Sequence, residues 1–229
     1  MNLSNDTVTV LKNFSTINQN LVISPGKNIS TMSAMKNIVA KATVTEDFPQ
    51  EFAIYDLNEF LASLSLFENP ELNFKDDFVI MTESNAPTKK SLKYWYSDPS
   101  VVTTPTKEIT MPSSEVTFSL SSDLLSDVTK AAAVIGAPDM VLEGMDLGTA
   151  VFKVTDKKNS TANDYAAKLD IEDQEKNVPY KFWFKVENLK LLPGSYDVQV
   201  SSKKISYFKN TNIDVEYFIA LEPESSYDV

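Results

Sequence analysis

The chain has 229 residues, of which 42% are hydrophobic and 23% charged, so it is long enough for one large domain or two smaller ones with a core each. The formal net charge is −11, and all 21 basic residues are lysines. Because the sequence contains no cysteine, histidine or arginine, it excludes disulfide bonds, zinc held by Cys or His, His-dependent catalytic triads and arginine clamps on phosphate.

The sequence gives no sign of membrane insertion or secretion. The longest apolar run, over residues 131–137, is far too short to cross a bilayer. The first four residues, Met-Asn-Leu-Ser, lack the basic-then-apolar order of a signal peptide. We therefore expect a protein of a reducing cytoplasm, with no membrane association, no metal and no cofactor.

Two predicted amphipathic helices begin at related phrases. Leu-Ser-Asn-Asp at residues 3–6 returns as Leu-Ser-Ser-Asp at residues 120–123, an offset of 117. Ser4 or Asp6 is suited to cap the first helix, and Gly136 followed by Pro138 ends the second. Each helix has an apolar face, predicted as Val8, Leu11 and Phe14 in the first and as Leu125, Val128, Ala131 and Val134 in the second.

Strands and a second, shorter helix follow in each half. Alternating strands are predicted over 38–44 and 165–171. A strand then runs directly into a short helix, at 52–66 in the first half and at 182–192 in the second, where Pro193 and Gly194 end it. Further strands are predicted at the end of each half, over 72–74, 78–82 and 92–96 and over 196–200, 205–208 and 215–221.

This order predicts a duplicated α+β fold. A stretch rich in Pro, Ser and Thr separates the two halves and is typical of a connector. The predicted organisation is therefore domain one over 1–98, a connector over 99–114 and domain two over 115–229, with two helices and many antiparallel strands in each domain.

Several segments spread along the chain resemble the DNA sliding clamps of T-even-type bacteriophages. They include residues 11–18, 53–61 and 220–228, together with Trp95 and the Pro193-Gly194 pair. The resemblance implies a homotrimeric ring with two clamp domains per protomer, helices lining a central hole and antiparallel sheets outside. Such clamps are not enzymes: they encircle duplex DNA, independently of its sequence, and tether the replicative DNA polymerase. The resemblance further implies an ATP-driven clamp loader, a role in late transcription, and location in the cytoplasm of the infected bacterial host.

Lysines on the predicted helices are candidates for weak contact with DNA. A clamp that slides must not bind tightly, since each neutralised phosphate adds affinity and each base contact adds sequence preference. The acidic remainder of the chain would keep DNA away from other surfaces. The candidates are Lys12, Lys130, Lys185 and Lys190, and the alternative is that they are ordinary solvated lysines.

The resemblance also implies a subunit interface and a partner pocket. Edge strands extend a sheet across subunits through unpaired backbone groups, and the candidates are Leu92, Tyr94 and Trp95 on one strand and Tyr165, Ala167 and Leu169 on the other. The alternative is that Trp95 and Tyr165 belong to the cores of their own domains. The C-terminal peptide of the polymerase would dock in an apolar pocket formed by Val102, Ile109, Met111, Phe218, Ile219, Ala220, Leu221 and Pro223. These residues could instead pin the connector to the core.

Two other functions compete with a clamp. A hydrolase with paired carboxylates would need acids in a shaped site, but Asp76-Asp77 and Glu172-Asp173 lie in polar, turn-like stretches. A duplicated, β-rich phage structural or assembly protein with no DNA role is the second alternative, and composition does not exclude it.

Overall fold

The computed structural model describes residues 1–83, 89–105, 107–146 and 148–228. It divides into two compact units, Met1–Lys107 and Glu108–Val229. The predicted connector over residues 99–114 contains this division. Within the described part of the chain, no helix is long and apolar enough to cross a membrane.

The first unit contains two α-helices and two antiparallel groups of strands. Its elements are α1 (Asn5–Ile17), β1 (Leu21–Ile23), β2 (Gly26–Met32), β3 (Ile38–Phe48), β4 (Phe52–Ile54), α2 (Leu57–Leu64), β5 (Pro70–Phe74), β6 (Phe78–Glu83) and β7 (Ser91–Trp95), followed by a single 3₁₀ turn, Pro99–Val101. The strands pair in the orders β3-β2-β1-β4 and β5-β6-β7. The two helices pack on each other, and α1 also packs on β3.

The second unit repeats this plan with more strands. Its elements are β8 (Val116–Leu120), α3 (Ser122–Ile135), β9 (Asp139–Asp146), β10 (Thr149–Thr155), β11 (Tyr165–Asp170), β12 (Asp173–Gln174), β13 (Tyr180–Lys185), a 3₁₀ turn (Val186–Asn188), β14 (Tyr196–Ser201), β15 (Ile205–Asn210), β16 (Val215–Ala220) and β17 (Ser226–Tyr227). The strands pair in the orders β12-β8-β14-β15-β16 and β11-β10-β9-β13-β17. The predicted α+β duplication is therefore confirmed.

The repeated phrase caps the corresponding helix in each unit. Ser4 Oγ accepts the backbone N–H of Thr7 at 3.2 Å, and Ser121 Oγ accepts that of Leu124 at 3.2 Å. These bonds satisfy donors that the first turn of a helix leaves without an intrahelical partner. Ser4, and not Asp6, is thus the cap of α1, and the offset of 117 relates two equivalent helix starts.

The predicted apolar faces are only partly correct. Leu11, Phe14 and Ile17 are buried on α1, and Leu125, Val128 and Ala132 on α3. Val134, which we predicted to face the core, is instead 85% exposed. Nine residues separate it from Leu125, and at 100° per residue this places it on the opposite side of the helix.

The predicted helix over residues 185–192 is wrong. Only the 3₁₀ turn Val186–Asn188 forms there, and its N-cap, Lys185, makes no side-chain capping bond. In α2, by contrast, Asp56 Oδ1 accepts the N–H groups of Asn58 at 2.9 Å and Glu59 at 3.1 Å. Residues 185–192 have no such cap and are followed directly by Pro193. A segment this short then forms too few hydrogen bonds to offset the unfavourable free energy of helix nucleation.

A carboxylate from a distant strand completes the start of α1. Glu46, on β3, is only 9% exposed and accepts hydrogen bonds from the Ser4 backbone N–H and the Thr7 hydroxyl. Burial by itself would raise the pKa of Glu46, but the hydrogen bonds from Thr7 and Ser4 outweigh it and lower the pKa below 4.5. The negative charge also lies at the positive end of the helix dipole.

We expect Glu46→Gln to lower the free energy of unfolding of the first unit by about 1–2 kcal/mol at neutral pH. Since the pKa of the folded state is depressed, this contribution is present above pH 4.5 and is lost as the pH falls below that value. Urea unfolding of the wild type and Glu46→Gln between pH 3 and pH 7 would measure it. A difference that does not shrink on acidification would contradict a role for the charged carboxylate.

Candidate nucleic-acid interface and assembly surfaces

The exposed face of α1 is polar and carries a single cation. Lys12 is exposed on it, and Asn5, Thr9, Thr16 and Gln19 are exposed on the same side. The hydroxyl groups of the two threonines already donate hydrogen bonds within the helix, Thr9 to Asn5 O at 2.7 Å and Thr16 to Asn13 O at 2.7 Å. Gln19 donates its amide to Asp56 at 3.0 Å. The ammonium group of Lys12 is therefore the main contact that this face offers to a phosphate.

The exposed face of α3 is more acidic at its start and apolar at its end. Lys130 is exposed between Asp127 and Val134, and Asp123 is exposed one turn before Asp127. The carboxylate of Asp127 is three residues from Lys130 and reduces the attraction that this lysine exerts on an anion. This face thus suits weak contact with a polyanion and not firm binding.

Lys185 and Lys190 differ from these two lysines. Lys190 is half-buried beyond the 3₁₀ turn and has its own interaction partner. Lys185 ends β13 and not a helix, and its Nζ lies 2.5 Å from Asp139 Oδ1, a carboxylate that is 1% exposed. Because this ion pair already engages its charge, we do not retain Lys185 among the candidates for DNA contact.

Asp139 organises a cluster that the sequence did not indicate. Besides Lys185, it accepts the backbone N–H of Lys157 at 3.2 Å. Lys157 Nζ in turn lies 3.1 Å from Glu222 and 3.2 Å from Glu224, in the C-terminal segment. The cluster fastens this segment to β9 and β13. Its members are far apart in the sequence, so no local sequence pattern predicts the cluster.

The strands predicted for the subunit interface are the terminal strands of their sheets. β7 is the last strand of β5-β6-β7, and β11 is the first of β11-β10-β9-β13-β17. Among the described strands, none pairs with the outer side of β7 or β11 themselves. Just past each strand that side is occupied, because Ser97 donates its N–H to Ala53 O at 2.9 Å and Glu172 donates its N–H to Thr117 O at 3.0 Å. Trp95 is 61% exposed and Tyr165 is 38% exposed, so neither is a core residue of its own unit.

The remaining interface candidates lie on the inner sides of these strands. Tyr94 donates its hydroxyl to Asp56 O at 3.3 Å and packs edge-on against Phe60 at 5.2 Å. Burial, with the nearby carboxylates of Glu59 and Asp56, raises the pKa of Tyr94 to about 12. Leu92 and Ala167 are half-buried and Leu169 is 8% exposed. The residues that alternate with them have exposed side chains: Ser91, Lys93 and Trp95 on β7 and Ala166, Lys168 and Asp170 on β11.

The residues predicted for the partner pocket divide by burial. Val102 and Leu221 are 8% and 6% exposed, Phe218 is 6% exposed, and Ile219 is fully buried. The others keep accessible surface: Ile109, Met111 and Ala220 are half-buried and Pro223 is exposed. Ile219 therefore belongs to the core and offers no surface to a partner.

One turn of the second unit gathers the end of the connector and the C-terminal segment. Glu115 accepts the backbone N–H of Ser202 at 2.8 Å and its hydroxyl at 2.7 Å. Lys204, in the same turn, accepts the N–H of Leu221 at 3.0 Å through its backbone carbonyl and donates its ammonium to Pro223 O. The turn between β14 and β15 thus holds both segments at one end of the sheet.

Comparison with known proteins gives the family. The family described as DNA polymerase processivity factor matches residues 4–111, and the one described as gp45 sliding clamp, C terminal, matches residues 117–223. The chain belongs to the sliding-clamp family. Its curated relatives include the sliding clamp of Vibrio phage KVP40, which is 33% identical over 97% of this chain and 99% of the relative, and that of Enterobacteria phage T4, 30% identical over the full length of both. The sliding clamp of Escherichia phage RB69 is 26% identical, also over the full length of both.

Solved structures of PCNA show the same fold at low sequence identity. The PCNA of Thermococcus kodakaraensis superposes with a TM-score of 0.72 at 15% identity, covering 97% of this chain and 99% of that one. The PCNA of Entamoeba histolytica gives a TM-score of 0.69 at 14% identity, covering 96% and 97%. These likenesses establish two clamp domains in this chain.

Family membership decides the coarse function. A sliding clamp is a DNA polymerase processivity factor, not an enzyme, and it acts in phage DNA replication. The predicted family, fold and absence of catalysis are therefore confirmed. The alternative of a structural protein with no DNA role finds no support.

Proposed function

We propose that this clamp closes head-to-tail into a ring of three protomers that encircles duplex DNA. The observation that carries the proposal is the pair of terminal strands, β7 and β11, which lie in different units and each leave one edge open to a further strand. Two different edges on one protomer suit a heterologous contact, and a heterologous contact that closes by rotation produces a ring. In this ring α1 and α3 face the hole.

DNA would be retained in the ring by topology and not by affinity. Lys12 and Lys130 are the exposed cations of the two long helices, and Lys190 lies close to the start of β14. We propose that these three lysines make transient contacts with phosphates. With so few cations per protomer and no arginine, counterion release contributes little to the free energy of binding, so the ring can slide.

We propose that the C-terminal peptide of the DNA polymerase docks on the second unit where its partly accessible apolar residues lie. Ile109, Met111, Ala220 and Pro223 keep accessible surface, whereas Phe218 and Leu221 are buried. Support comes from the turn between β14 and β15, which holds both chain segments. An apolar side chain of the peptide would cover this surface, which is otherwise exposed to solvent.

Loading and the cellular setting complete the proposal. A closed ring needs an opening step before it can enclose a circular or very long duplex, so we propose that an ATP-driven clamp loader opens one interface. We place the assembled clamp in the cytoplasm of the infected bacterial host, where it also serves as a platform in late transcription. These roles follow from the resemblance to T-even-type clamps.

The mass in solution tests the ring directly. Sedimentation should give three times the 25.5 kDa of the chain, with the same mass over a wide range of protein concentration. A companion assay measures polymerase product length on a primed circular template, and the lengthening should require both loader and ATP. A stable monomer at high concentration, or lengthening that needs no loader on a closed circle, would contradict the ring.

A further inference from the structure

The open edges of β7 and β11 each carry a defined set of outward backbone groups. Tyr96, directly after β7, donates its N–H toward β6, to Asp77 O at 3.0 Å. Successive residues of a strand point their N–H and C=O groups to opposite sides. The groups of Ser91, Lys93 and Trp95 therefore point away from β6, toward the open edge.

The same reasoning applies to β11. Ile171, directly after this strand, donates its N–H to Gly148 O at 2.9 Å, on the side where β10 lies. The residues that alternate with Ile171 along the strand therefore point their N–H and C=O groups toward the open edge. They are Ala166, Lys168 and Asp170. At both edges the outward residues have exposed side chains, and among the residues of opposite direction only Tyr165, at the start of β11, is exposed as well.

The alternation of backbone direction along both strands limits how the two edges can join. In antiparallel pairing, the two residues of a hydrogen-bonded pair are directly opposite and exchange both bonds, so an outward residue of β7 must face an outward residue of β11. Antiparallel pairing is the arrangement within both sheets. It would bring the exposed side chains together on one face and the less exposed ones, such as Tyr94 and Leu169, together on the other.

The available length of each edge limits the registers further, because the outward N–H groups of Ser97 and Glu172 are already bonded to Ala53 O and Thr117 O. Charge then distinguishes the register that places Lys93 opposite Lys168 from the one that places it opposite Asp170. If Trp95 faced Ala166, Lys93 would face Lys168, and like charges directly opposite destabilise a pair of strands. A shift of two residues puts Lys93 opposite Asp170 and Trp95 opposite Lys168. The first pair is of opposite charge, and the second places an ammonium group beside an indole ring.

The exposed side chains of β7 already favour such contacts. Trp95 lies 5.0 Å from the ring of Phe78, measured between centroids. Lys93 Nζ lies 4.3 Å above the Phe78 ring and 5.3 Å from the Trp95 ring. This arrangement holds Lys93 beside the edge, where an incoming aspartate can reach it.

We propose that a second copy of this chain adds its β11 to the open edge of β7 in the register that pairs Lys93 with Asp170 and Trp95 with Lys168. The proposal rests on the proposed function, since it specifies the partner contact of the head-to-tail ring. It makes the Lys93–Asp170 pair the contact that fixes register and excludes the alternative one.

Charge reversal tests the register. Lys93→Asp and Asp170→Lys should each weaken assembly by about tenfold in dissociation constant, because each replaces an attractive pair by a repulsive one. The double variant, with both substitutions, should recover most of the loss, and Lys27→Asp, on an exposed residue of β2, should change nothing. In the register with Lys93 opposite Lys168, Lys93→Asp would instead strengthen assembly. That result, or absence of recovery in the double variant, overturns the proposal.

The cysteine-free sequence allows a second, independent test. A Trp95→Cys, Lys168→Cys protein should form disulfide-linked trimers under oxidising conditions, since directly opposite residues have Cα atoms about 5.5 Å apart. The matched Trp95→Cys, Ala166→Cys protein should not, because these residues become diagonal neighbours about 7–8 Å apart. Linking of the second pair and not the first overturns the register. A wild type that sediments as a monomer overturns the ring itself, so the two failures are distinguishable.

Discussion

Asp139→Ala is expected to lower the free energy of unfolding of the second unit by about 3 kcal/mol, because removing one partner of a buried ion pair leaves the other charges uncompensated. Asp139 is 1% exposed and holds Lys185 Nζ at 2.5 Å. It also accepts the backbone N–H of Lys157, whose ammonium group holds Glu222 and Glu224. The substitution therefore loosens the C-terminal segment as well as the sheet.

Two variants separate the charge from the packing. Asp139→Asn keeps the size of the side chain but removes its charge, and should lose most of the same stability. Asp139→Leu combined with Lys185→Met replaces the pair by apolar side chains and should be closer to the wild type than Asp139→Ala. Urea unfolding followed by tryptophan fluorescence, with Trp183 as the reporter on β13, measures all three. A loss below about 1 kcal/mol for Asp139→Ala would show that the cluster is not a stabilising centre.

This cluster also shows where the sequence stopped being informative. Lys185 follows an apolar strand and precedes a segment of mixed polarity, and this pattern favoured a helix with an exposed lysine. The structure instead ends the strand with an ion pair to Asp139, 46 residues earlier in the chain. No periodicity records a contact of that separation. The local signal that was available is the lack of a capping residue, since lysine is a poor N-cap and Asp56 is a good one.

Local signals did predict the helix starts. Ser4, one of the two caps predicted for the first helix, caps α1, and Ser121 at the equivalent position of the repeated phrase caps α3, because a cap needs only its own side chain and an N–H three residues on. The carboxylate of Glu46, which completes the first cap, comes from β3 and could not be read from the phrase. Strict three-residue spacing also misplaced Val134, since such a stripe drifts around a helix of 3.6 residues per turn.

The assembly surfaces could be described only by combining the family resemblance of the sequence with the structure. The resemblance indicated which strands form an interface, and the structure places both at the ends of their sheets. The sequence did not single out Lys93 or Asp170. Their importance appears only once the hydrogen bonds of Tyr96 and Ile171 show which backbone groups point outward.

Reversing the charges of Lys12 and Lys130 together is expected to shorten polymerase products at least tenfold in the loader-dependent assay. In a trimer, Lys12→Glu with Lys130→Glu changes the charge of the proposed hole by about 12 units, which replaces weak attraction of phosphates by repulsion. The trimer mass should not change, since both lysines lie on exposed helix faces. Raising the salt concentration screens the repulsion, so the difference from the wild type should shrink as ionic strength increases.

The matched control places the same charge change elsewhere. Lys27→Glu with Lys36→Glu alters two exposed lysines outside the helices, on β2 and in the turn after β2, and should leave product length unchanged. Lys12→Gln with Lys130→Gln removes the attraction without adding repulsion, so its effect should be intermediate. If the helix variants and the control behave alike, the exposed faces of α1 and α3 do not face DNA. If only the helix variants fail, and fail less at high salt, then electrostatic contact with the duplex explains the loss, because a fold defect would not be relieved by screening.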